Sequence, residues 1–131
     1  MYPLLLGIQG YYFLVTALWG LLDIDSFMAV TGPKTDIWLV KTVSVILVAI
    51  AVCLLIHKYT GGPSLAAMAL GFASSLGLAL VEFYYVYNRT LSIVYFYDGL
   101  IEVVFSILWV YLFFARNKLG KKAGEKHPGL A

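Results

Sequence analysis

Four apolar runs, residues 4–22, 37–56, 64–87 and 92–115, occupy most of the chain, and each is long enough to cross the ~30 Å hydrocarbon core of a bilayer. Inside such a core the backbone must satisfy its own hydrogen bonds, which leaves helices or a closed barrel. Continuous apolar runs of about 20 residues without alternation read as helices. The sequence therefore predicts an all-α polytopic membrane protein, an antiparallel bundle of four transmembrane helices. Composition agrees, with 62% hydrophobic and only 12% charged residues, against ~25% charged in an ordinary soluble domain. The first run has no basic stretch before it and no small-residue cleavage site after it, so it reads as an uncleaved span rather than a signal peptide.

The links are short, so both termini are expected on one side. That side carries Lys58, Arg116, Lys118, Lys121, Lys122 and Lys126, whereas the opposite loops carry Lys34 and Arg89, which predicts cytoplasmic termini. Residues 1–115 form the membrane domain in this reading, and 116–131 a basic, disordered cytoplasmic tail. The tail lacks interleaved aromatic residues, so its expected partner is the anionic surface of the lipid bilayer and not nucleic acid. The only cysteine, Cys53, lies in an apolar helical run, and there is no CxxC or Cys/His set. No metal and no cofactor is therefore expected, and Cys53 and the helix-end His57 read as structural residues.

Ionisable groups inside the spans carry the functional signal, because a charge in hydrocarbon must find a partner, water or the interface. Asp23 ends the first span on the face that also bears Gln9, Thr16 and Gly20. A semi-apolar loop, SFMAVTG, follows, and Gly32-Pro33 marks a turn before the second span, with Thr31 or Thr35 able to cap and Asp36 in the first turn. Lys41 lies about four residues inside that span, sharing a face with Ser44, and Trp38 sits at headgroup level. In the third span Ala67, Gly71 and Ser75 recur at four-residue spacing and lead through Leu78 to Glu82; small residues so spaced let helices approach closely, within a bundle or in a homodimer or larger membrane complex. In the fourth, Asp98, Glu102 and Ser106 line one side. Asn88-Arg89-Thr90 matches a glycosylation sequon but reads as a plain turn. All these acids and Lys41 fall in the outer half, which predicts one polar site built from Lys41, Glu82, Asp98, Glu102, Ser44 and Asp23 and open to the outside. Lys41 is expected to pair with Glu102 or Asp98, leaving the other carboxyls to hold a proton, reach water or meet a cation from elsewhere.

The stretch VTGPKTDIWLVKTV, the VEFYYVY end of the third span and the YFYDGLIE start of the fourth resemble a family of small bacterial four-helix membrane proteins. The resemblance covers the whole layout and implies the four-helix fold and a bacterial origin, with no activity attached. The chain is similar more loosely to DoxX-like four-helix proteins and to sterol-isomerase-type bundles, which also bury acids among their helices. Small multidrug exporters share its size and span count but place their key glutamate in the first span, where this chain has none. Three functions stay in competition: binding or transport of a small polar or cationic ligand or of protons; an accessory subunit whose charges dock a partner helix; and a membrane enzyme using an acid-base carboxyl pair on a lipid-like substrate. No catalytic residue is assigned.

Overall fold

The computed structural model describes residues 1–62 and 64–126. These form five helices: α1 Tyr2–Leu22, α2 Ile24–Thr31, α3 Ile37–Thr60, α4 Leu65–Tyr87 and α5 Val94–Lys126. Four of them, all but α2, are long and apolar enough to span a membrane, and the chain is a multi-pass membrane protein of all-α class.

Two antiparallel pairs build the bundle, α1 along α3 and α4 along α5. Small residues set the first pairing. A Cβ added at Gly10 would lie 2.8 Å from Leu55 Cγ, and one at Gly20 would lie 2.8 Å from Ser44 Oγ, so α1 sits against α3 at distances only glycine allows. The Ala67, Gly71 and Ser75 stripe of α4 is buried, and a Cβ at Gly71 would meet the Trp109 indole, 2.5 Å from Nε1. This stripe is consumed in packing within the chain, so a homodimer could not be built on it. Leu5, Leu6, Leu54, Met68, Phe105 and Trp109 form the core at the end of the bundle that holds the N-terminus.

Two stretches differ from the sequence reading. SFMAVTG is largely helical: Ser26 to Thr31 belong to α2, because Asp23 accepts the Ser26 backbone N–H as N-cap and Trp19 Nε1 donates to Ser26 Oγ at 2.7 Å. Phe27 of α2 turns inward and packs edge-on against Trp19, with centroids 5.3 Å apart. Gly32, at φ 98°, ends α2 in a conformation that side chains resist, and Ser92 Oγ ties Thr31 O to the start of α5 at 2.8 Å. Thr31 is thus part of α2 rather than a cap for α3, whose N-cap position belongs to Asp36. The second difference is the tail, where α5 continues as helix through Lys126 and is exposed from Arg116 to Glu125. Arg, Lys, Leu, Ala and Glu are good helix formers, Gly120 and Gly124 cost about 1 kcal/mol each, and cations suit a helix C-terminus. Residues 127–131 of the expected tail, and Pro63 in the link before α4, lie outside the described residues.

Asn88 to Thr90 form the turn between α4 and α5, with Arg89 at φ 58°. Lys34 folds back on the α2 C-terminus, its Nζ 2.9 Å from Thr31 Oγ and 3.1 Å from Gly32 O, and lies over the rings of Phe27 and Tyr95. His57 donates to Gly62 O at 2.7 Å, a helix-end contact consistent with its structural reading.

Candidate functional site

Two polar clusters lie inside the bundle, each placed by helix spacing. On α1, Gln9, Tyr12 and Thr16 follow one another at three- and four-residue steps and look into the protein. On α4 the buried face runs from Gly71 through Ser75 and Ala79 to Glu82. On α5, Asp98, Glu102, Ser106 and Trp109 share the facing side, with Glu102 1% and Trp109 1% exposed.

The first cluster centres on Gln9, which has no exposed surface. Its Nε2 donates to Gly71 O at 3.0 Å and Ser75 Oγ at 2.7 Å, and its Oε1 accepts from Trp109 Nε1 at 2.6 Å. One amide thus joins α1, α4 and α5, and both ends of it are engaged. Ser75 Oγ donates onward to Gly71 O at 2.9 Å. The sequence reading put Gln9 on an inward face without recognising this role; an amide in an uncharged span is the signal that was available.

The second cluster begins seven residues further along α4 and earlier along α5, roughly 10 Å away at 1.5 Å per residue. It holds Glu82, Asp98 and Glu102. Tyr12 OH donates to Asp98 Oδ1, joining α1 to α5. Glu82 reaches towards α5, where a Cβ at Gly99 would lie 3.4 Å from its Oε2, in ordinary contact. Glu82 is 6% exposed and Glu102 1%, and the Oε2 atoms of both are buried without a hydrogen-bond partner. Native interiors rarely leave such atoms unpaired, because desolvation without a replacement bond is costly.

These acids line a cavity of about 450 Å³ between the two helix pairs. Its remaining wall is largely apolar, with Phe13 and Ala17 from α1, Phe27 from α2, Val40 and Leu47 from α3 and Leu78 from α4; Thr16 and Ser44 add hydroxyls. Among the described residues, no lysine, arginine or histidine belongs to the wall. The volume falls in the range of small-molecule sites, which typically combine apolar walls with a few convergent polar groups.

Of the six residues expected at the site, four line this cavity: Glu82, Asp98, Glu102 and Ser44. Asp23 does not. It is exposed at the α1–α2 junction and spends its carboxylate on capping α2. Lys41 does not either. Its side chain is exposed on a flank of α3, while Leu39, Val40, Val43, Ser44 and Leu47 supply that helix's share of the wall. The expected Lys41 pair with Glu102 or Asp98 is absent, since a shared face with Ser44 is only 60° wide in angle and the cavity takes the other edge of it. Among the cavity residues the sequence reading did not place at the site, Tyr12 is the one that hydrogen-bonds an acid of the cluster. Comparison with protein-family models, with curated proteins and with solved structures finds no match for this chain.

Proposed function

We propose that the protein binds a small cationic ligand in the acidic cavity and carries it or exchanges it for protons. The observation that carries this reading is the pair of buried, unpartnered oxygens, Glu82 Oε2 and Glu102 Oε2, beside a cavity whose wall supplies no cation. Each such oxygen needs a proton or a cation from outside the chain. The balance is simple: a carboxylic acid plus an ammonium gives a carboxylate-ammonium pair and a released proton. Tyr12 supports the site by fixing Asp98 from the opposite pair of helices.

The excess of basic residues at the ends of α3 and α5 supports cytoplasmic termini with the acid-bearing end of the bundle on the opposite side, and the resemblance to small bacterial four-helix membrane proteins supports a bacterial inner membrane. An accessory subunit that docks a partner through these acids would carry them on its lipid-facing surface, and here they face inward. Apolar walls beside two carboxyls also favour a second reading, an enzyme that isomerises or hydrates a lipid-like substrate with Glu82 and Glu102 as acid and base.

Proton release measures the first reading directly. Sodium, methylammonium and octylammonium ions are titrated into the protein in weakly buffered nanodiscs. At least one of them is expected to displace protons, and Glu82→Gln with Glu102→Gln together to abolish the release. Release from none of them, or release unaffected by the double substitution, sinks the reading.

A further inference from the structure

The chemistry and outline of the cavity narrow the ligand further than its charge does. A small hydrated cation needs several converging oxygens to replace its water, and among the described residues no three His, Cys, Asp or Glu side chains converge in a way that could hold a metal ion. The two unpartnered oxygens instead suit a group that brings its own directional donors, as a primary ammonium does with its three N–H bonds. Around them the wall offers Phe13, Phe27, Leu47 and Leu78, surfaces that gain nothing from a hydrophilic cation and favour an apolar body.

The entry route is also marked. Besides Thr90, in the exposed turn after α4, the exposed members of the wall are Leu39 and Val43 on α3 and Val81 and Tyr85 on α4, which are 44%, 47%, 52% and 43% exposed. They stand on the two helices that pack on different partners, α3 on α1 and α4 on α5. The rim of the cavity is therefore a gap between two membrane-spanning helices, lined by residues suited to hydrocarbon.

Resting on the cation-binding reading above, we propose that the site takes a lipophilic amine, with its ammonium at Glu82 and Glu102 and its hydrocarbon body against the apolar wall, and that this ligand enters sideways from the bilayer between α3 and α4.

The test is a ligand series on the unaltered protein in nanodiscs, with empty discs subtracted: octylammonium, octanol and methylammonium. Octylammonium is expected to bind at least tenfold more tightly than either of the others, and its binding to be lost in the Glu82→Gln, Glu102→Gln protein. Methylammonium binding as tightly as octylammonium would overturn the lipophilic-amine assignment while leaving the cation-binding reading intact. Octanol binding equally well would overturn both, as would binding by none of the three. For the route, Val43→Trp with Val81→Trp places two indoles at the rim on positions that already face outward. Association of octylammonium in stopped flow is expected to slow at least fivefold. An unchanged rate overturns the lateral route, and the ligand series stands independently of how this variant folds.

Discussion

The two polar clusters in this bundle share three helices and lie roughly 10 Å apart by helix rise, yet they are built on opposite terms. Around Gln9 the side-chain oxygen and nitrogen both have partners, on Gly71, Ser75 and Trp109, and apolar side chains close over the bonds. Around Glu82 and Glu102 two buried oxygens lack partners, and a cavity takes the place of packing. A satisfied buried network fixes how helices dock, while a partly satisfied one is expensive and persists where something else completes it. On the proposed reading the contrast gives the fold to one cluster and a ligand to the other, and it can be broken by substitutions that move stability and binding together.

The largest effect is expected at Trp109. Trp109→Ala removes a fully buried side chain that fills the space against Gly71 and donates to Gln9. The loss should be about 3 kcal/mol, the low end for burying and then deleting a large aromatic, because lipid rather than water is the competing environment. Reversible unfolding in mixed micelles measures it. Gln9→Leu comes next. Gly71 O keeps its bond from Ser75 Oγ, so the main orphan is the Trp109 N–H, at about 1 kcal/mol. Glu102→Gln supplies the opposing arm: it removes a carboxyl with an unpartnered oxygen, so the unfolding midpoint should stay level or rise while octylammonium binding falls. A midpoint lowered as much as in Gln9→Leu would show that both clusters serve the fold and end the distinction between them.

Much of this arrangement was legible before any coordinates. Apolar length fixes the number of spanning helices, and four-residue spacing brings Glu82, Asp98 and Glu102 onto inward faces, because those signals are local. The apolar cavity was not legible, since it arises from how two helix pairs stand against each other, a long-range property with no spacing of its own. Nor was α2: SFMAVTG is too short to show helical periodicity, and its helix depends on the cap from Asp23 and on Phe27 finding Trp19. Gln9 and Thr16 were visible on one face of α1, but the partners of Gln9 lie more than 60 residues away, and Tyr12 was missed because its partner Asp98 is equally remote. Charge counting overrode geometry at Lys41: one lysine and three acids among the spans suggested a pair, although the long lysine stem can carry its ammonium out of the bundle instead.

Lys41 therefore offers the smallest effect and the cleanest discrimination. If it paired with Glu102 inside the bundle, removing it would strand a buried charge and cost about 3–5 kcal/mol. Exposed on a flank of α3 and outside the cavity wall, it should behave as an ordinary surface residue, and Lys41→Ala should change stability by no more than about 0.5 kcal/mol. Octylammonium affinity should likewise stay within about twofold, since an exposed charge outside the wall is largely screened where it meets water. Unfolding and titration on the same preparation read both numbers. A loss of several kcal/mol would restore the internal ion pair and remove the surplus of unpaired acid on which the cation site depends, whereas tighter ligand binding at unchanged stability would mean that Lys41 repels the incoming ammonium at the gap between α3 and α4.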